Sequence, residues 1–124
     1  AQRFKEPRDS RRTSDVNTIL TAIQSSLVDN RGTFPAGLST GMAEKQLGTA
    51  GAGCALATGG CAVAGAADCV DLAAPLVKYL KSIPTDPNGG TAALTKYSVV
   101  VDANGIVTVR ACGTEGATNV SASR

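Results

Sequence analysis

Between Arg8 and Val28 the apolar residues Val16, Ile19, Leu20, Ile23 and Leu27 follow one another at intervals of three, one, three and four. That spacing keeps them on one face of an α-helix. Arg11, Arg12, Ser14, Asn17, Thr18, Thr21, Gln24 and Ser25 fall on the opposite face, as a solvated surface requires. Asp9 or Ser10 suits an N-cap, and Pro7 is tolerated at or before a first turn. Asp29-Asn30-Arg31-Gly32 supplies a stop, with Gly32 fitted to a left-handed cap position, and Pro35 blocks continuation. The pattern predicts a helix over 8–28.

From Ala36 the periodicity dissolves into a Gly/Ala/Ser/Thr-rich stretch that predicts a long loop over 36–68, with a short helix over 42–47 compatible with its residues. Each glycine there gives up much backbone entropy on ordering, so the loop needs an outside restraint. Periodicity returns at Leu72, Leu76, Tyr79, Leu80 and Ile83, which share a helical face; Asp71 is the N-cap and Pro75 falls in the first turn. A short helix over 72–82 is expected, ended by Pro84 and the Pro87-Asn88-Gly89-Gly90 loop.

The last pattern alternates and predicts a β-hairpin over 96–112. A loop of Ala103-Asn104-Gly105, opened by Asp102 with Gly105 left-handed, pairs Tyr97 with Ala111, Val99 with Val109 and Val101 with Val107 on one apolar face. A two-residue Asn-Gly loop would mix polar and apolar side chains on each face, so the longer loop is preferred. Lys96, Ser98, Val100, Thr108 and Arg110 then point the other way. A third strand is expected around 91–95 or 118–121. With only four aromatics, Phe4, Phe34, Tyr79 and Tyr97, the core must rest on a few aliphatic stripes, which predicts a single two-layer domain spanning 1–124.

Composition sharpens the functional expectation. Twelve basic and ten acidic side chains give a net charge of +2, which leaves no broad electrostatic footprint for nucleic acid. The local excess of Arg3, Lys5, Arg8, Arg11 and Arg12 is read as a solvated helix start. Histidine is absent, which removes the commonest general base and metal ligand. Ser-x-x-Lys, Gly-x-Ser-x-Gly and the phosphate-binding glycine motifs are missing too, so no catalytic residue is assigned. Asp86, Asn88, Asp102 and Asn104 would need to face one another to hold calcium, but such residues also favour turns for their own sake. No metal or cofactor is expected.

The even set of Cys54, Cys61, Cys69 and Cys112 fits no zinc spacing and implies disulfides outside the cytosol. Of the three possible connectivities the favoured one joins Cys54 to Cys61, closing a short loop, and Cys69 to Cys112, tying the loop's end to the last strand. No apolar run long enough to span a membrane occurs in the chain.

Taken in order, Arg8-Asp9-Ser10-Arg11-Arg12, Asp15-Val16-Asn17, Ile19, Ala22-Ile23 and Asp29-Asn30-Arg31-Gly32-Thr33-Phe34-Pro35 resemble the soluble part of a type IV pilin or a type II secretion pseudopilin. Ile83-Pro84-Thr85-Asp86-Pro87 resembles the Leu-Pro-x-Asp-Pro of the small members. Asn88-Gly89-Gly90-Thr91 follows where calcium-binding pseudopilins carry an acidic loop. The resemblance implies an α+β head in which the helix, the second half of a longer spine, packs against a small antiparallel sheet, with a disulfide-braced Gly/Ala-rich αβ loop. It implies an extracellular structural subunit whose hydrophobic N-terminal helix would anchor it in the membrane before assembly and then build a homo-oligomeric filament. Without that segment a soluble monomer is expected. The stripe Val16, Ile19, Leu20, Ile23 and Leu27 would serve head packing, and Arg11 and Arg12 would lie at the junction with the missing segment. The competing expectation is a secreted, disulfide-braced ligand-binding or inhibitor module.

Overall fold

The computed structural model describes residues 2–114 and 119–124, with side chains from Arg8 onward. The side chains of Arg3, Lys5 and Glu6, and Thr118 of the alternative third strand, lie outside the described residues. The helix, α1, runs from Gln2 to Asp29, six residues earlier than the spacing predicts. Gln, Arg, Lys and Glu propagate a helix without needing a core to face, so its start is set by propensity and not by burial. Pro7 therefore stands within α1 instead of before it. At the other end the Gly32 N–H donates to Leu27 O (2.7 Å) and the Arg31 N–H to Val28 O (3.4 Å). This paired closure places its left-handed residue at Arg31 (φ 55°), with Gly32 (φ 88°) continuing the reversal.

Five strands follow: β1 (Lys45–Leu47), β2 (Cys69–Val70), β3 (Tyr97–Val101), β4 (Val107–Ala111) and β5 (Val120–Ser123). They form one sheet in the order β2-β1-β3-β4-β5. β1 and β2 run parallel while every other neighbour is antiparallel, so the sheet is mixed and larger than the antiparallel one expected. Segment 45–47 is strand, not helix, because it seats between β2 and β3. The third strand beside the hairpin is β5, whereas Thr91–Thr95 forms none; there the Thr95 N–H donates to Leu47 O (3.1 Å).

Hairpin register agrees with the alternation: Tyr97 faces Ala111, Val99 faces Val109 and Val101 faces Val107. The Gly105 N–H donates to Asp102 O (3.1 Å) and Gly105 has φ 82°, the left-handed position the turn requires. Asp102 Oδ1 fixes the turn by accepting from the Asn104 and Ile106 N–H groups at 2.8 and 3.0 Å.

Val16, Ile19, Leu20 and Ile23 of α1 lie against the apolar face of the sheet, with Tyr97, Val99, Val101, Val107, Val109 and Ala111 fully buried beneath them. Leu47, Leu72 and Leu76 close this core on the β1 side. Leu27 is only half-buried at its edge. Around Leu76 the expected helix over 72–82 is a series of turns: the Leu76 N–H reaches Leu72 O and the Leu80 N–H reaches Leu76 O, but Val77 and Tyr79 bond three residues back. Pro75 supplies no N–H, which breaks the ladder where a short helix would nucleate.

Candidate assembly surface and its braces

Arg12 does not lie on the solvated side of α1. Its side chain is fully buried, with Nε donating to Asp86 Oδ1 (2.6 Å), NH2 to Asp86 Oδ2 (2.9 Å) and NH1 to Asp9 Oδ1 (2.8 Å). Asp86 is 3% exposed and also accepts the Asn88 N–H at 2.9 Å. The fork geometry of a guanidinium meeting a carboxylate makes this the strongest polar tie between α1 and the rest of the chain. Helical spacing missed it, because burial here comes from the 84–90 loop folding over the helix and not from the sheet. Arg11 remains exposed, 3.6 Å from Asp15 with its side chain 58% accessible.

Next along the helix, Asp15 accepts the Tyr97 hydroxyl at 2.6 Å. Burial, and then the Asp15 carboxylate, push the Tyr97 pKa well above its ordinary value. Tyr79 binds Asp29 at 2.7 Å from an exposed position, and that bond raises its pKa as well. Asp86 adjoins Thr95 before β3, whereas Asp102 follows β3, so the two Asp/Asn turns lie at opposite ends of that strand, roughly 20 Å apart. They do not face each other, and each carboxylate is engaged by its own turn. Among the described residues no group of three metal-ligating side chains converges.

The other face of the sheet is covered by the Gly/Ala loop. Leu56 and Val63 exchange both backbone bonds (2.9 and 3.0 Å), and the Cys54 N–H donates to Ala66 O (2.9 Å). This ladder reverses at Gly59 and Gly60, both left-handed (φ 61° and 89°). A Cβ on Gly59 would stand 2.7 Å from Cys112 O, so the tip sits directly on the end of β4. The cysteines are accordingly joined Cys54–Cys69 and Cys61–Cys112, in place of the pairing favoured from sequence. Folding back brings Cys54 beside the segment leading to Cys69, and leaves Cys61 at the tip above Cys112. Proximity along the chain was the wrong guide.

Beneath this cover Ser98 donates to Glu44 Oε2 (2.5 Å), Arg110 NH1 to Glu44 Oε1 (2.6 Å), and Gln46 bridges Cys54 O to the Lys96 N–H (2.9 and 3.0 Å). Ser98 is fully buried and its partner is a carboxylate tied to an arginine, so the cluster fastens the loop and offers no open nucleophile.

Of the stripe expected to serve packing, Val16, Ile19, Leu20 and Ile23 lie in the chain's own core and Leu27 is half-buried at its edge. What α1 presents outward is a face without charge from Asn17 to Val28, formed by Asn17, Thr18, Thr21, Gln24, Ser25 and Val28. No described helix is long and apolar enough to cross a membrane. No protein-family model, curated protein or solved structure matches the chain.

Proposed function

We propose that this chain is the head of a filament subunit of the type IV pilin or pseudopilin kind, built into an extracellular fibre by an apolar helix continuous with α1. The observation that carries this reading is the clamp between Arg12 and Asp86. It joins the two segments on which the sequence resemblance rests, the charged helix start and the Ile83-Pro84-Thr85-Asp86-Pro87 loop, across 74 positions of chain. A clamp there holds the helix to the head near the end at which a spine would continue. The helical backbone reaches Gln2, seven positions before Asp9, and the outward face of α1 carries no charge from Asn17 to Val28. Two disulfides fix the loop that covers the sheet, as suits a subunit working outside the cell.

The role is structural. Chemistry at the two polar clusters is spent on internal ties, and the exposed loop side chains between Ala55 and Ala67 are small and uncharged, which gives a ligand little to hold.

The test joins an apolar helix of about 20 residues in phase with Gln2 and expresses the chain in cells equipped to build such filaments. Membrane insertion followed by entry into filaments is the expected result. A subunit that inserts, folds and is processed but never enters a filament would overturn the reading in favour of a secreted binding module.

A further inference from the structure

Three large apolar side chains stand out from the described surface: Val28 at 78% exposure, Val77 at 64% and Ile106 at 43%. Val28 is the most exposed of them and stands in the last turn of α1, beside Asp29 and Arg124, which line the same shallow hollow. On another part of the head lies an open pocket of about 180 Å³ just past the ends of the parallel strands β1 and β2. Among its lining residues Leu47 and Leu72 are buried and Ile83 half-buried, while Lys81 and Asp71 are exposed. A cavity of about 150 Å³ lined by aliphatic side chains takes up a benzene-sized group, so this one has room for a valine side chain.

Strand register separates the two features. Leu47 lies level with Tyr97, Ala111 and Val120, whereas Arg124 exchanges both backbone bonds with Val107. From Leu47 to Arg124 is three strand spacings across the sheet, about 14 Å, and four residues along it, about 13 Å. Val28 therefore cannot fill the pocket of its own chain.

We propose that Val28 of one copy seats in the Leu47–Leu72–Ile83 pocket of the next, a head-to-tail contact between heads that rests on the filament reading above. The flanking charges match in sign. Asp29 beside the valine already accepts the Tyr79 hydroxyl on Oδ2, and its other oxygen is left for a second donor. It meets Lys81 of the pocket, and Arg124 meets Asp71. A knob and a pocket on separate surfaces leave one of each free after every addition, which is the arrangement that propagates a chain of subunits. The contact is small, in the class of weak interfaces, so it orients heads that another element holds together.

Cysteine trapping tests it with the chain as it is. Val28→Cys and Ala92→Cys, the latter on the exposed pocket rim, are made in separate chains and mixed under mild oxidation. The mixed disulfide should exceed that from a Ser10→Cys and Ala92→Cys mixture about tenfold, a preference worth about 1.4 kcal/mol. Adding Lys81→Glu to the Ala92→Cys chain should remove the excess, and adding Asp29→Lys to its Val28→Cys partner should restore it. Equal trapping from Ser10 and Val28 overturns the contact. In subunits carrying the apolar helix, Val28→Asp should lower filament yield without lowering thermal stability. Undiminished yield would overturn the contact and leave the filament reading standing. Selective trapping by heads that never enter filaments would do the reverse.

Discussion

Arg11 and Arg12 are adjacent and chemically identical, yet one is a surface charge and the other a buried hub between Asp9 and Asp86. Removing one partner of a buried pair strands the other, at a cost of about 3–5 kcal/mol, whereas an exposed pair contributes under about 1 kcal/mol. Arg12→Met should therefore lower the urea midpoint steeply, and Arg11→Met should leave it within experimental scatter. Similar losses from both would mean that the clamp does not form. Tyr97 adds a dependence on pH. Its folded pKa is raised by burial and by Asp15, while the unfolded chain ionises near pH 10. Below that pH both states keep the proton and the full stability is present. Above it only the unfolded state gains by releasing the proton, so stability should fall by about 1.4 kcal/mol per pH unit for this one group. Denaturation series between pH 9 and 11, roughly spanning that ordinary tyrosine pKa, should show a flatter decline in Tyr97→Phe.

Among the elements, those written in a repeating pattern were legible and those made by contact were not. The hairpin could be read to the residue because Tyr97, Val99, Val101, Val107 and Val109 alternate around the Ala103-Asn104-Gly105 loop. The helix was read from its core stripe, which says nothing about where its polar first turns begin. β1 has three residues and β2 two, too few to alternate, and both exist because the parallel pairing of Gln46 with Cys69 and Leu47 with Val70 places them beside β3. The turns after Leu72 carried a helical period that Pro75 kept from becoming a helix. Of the site, the cysteines were visible but their partners were not, since the connectivity depends on a reversal at Gly59-Gly60 that no apolar pattern marks. That connectivity has a measurable consequence. Cys61–Cys112 closes 51 positions and Cys54–Cys69 closes 15, so loop entropy assigns them about 4 and about 3 kcal/mol. Paired Cys→Ala replacements should destabilise in that order, and Cys61/Cys112→Ala should also loosen the Ser98–Glu44–Arg110 cluster beneath the loop. Hydrogen exchange at Ser98 and Arg110 reads this directly; unchanged protection there would mean that the loop is held by its backbone bonds alone.

On the scale of the whole molecule, the apolar stripe of α1 is already satisfied by its own sheet, and the surface left on α1 between Asn17 and Ser25 is polar and uncharged. Nothing in that surface drives tight association, so the chain as it stands should sediment as a monomer at micromolar concentration. With an apolar helix joined to Gln2, Arg8 and Arg11 come to stand between the membrane boundary and the head. A basic residue near an anionic bilayer contributes about 1 kcal/mol, fading over a Debye length of roughly 10 Å at 0.1 M salt. Arg11 lies nine positions beyond Gln2, about 14 Å along a helix, so it feels that surface only at low ionic strength. Arg11→Glu is then expected to change the melting temperature of the soluble chain little, because the contact to Asp15 is long and the Arg11 side chain is exposed. It should lower membrane retention and filament yield of the extended subunit, and the deficit should shrink as salt is raised from about 0.01 to 0.15 M. Arg12→Glu in the same background should fail earlier, at folding, which separates the two arginines by assay as well as by position. A deficit for Arg11→Glu that persists unchanged in high salt would place this side chain in a direct contact between subunits and not at a membrane surface.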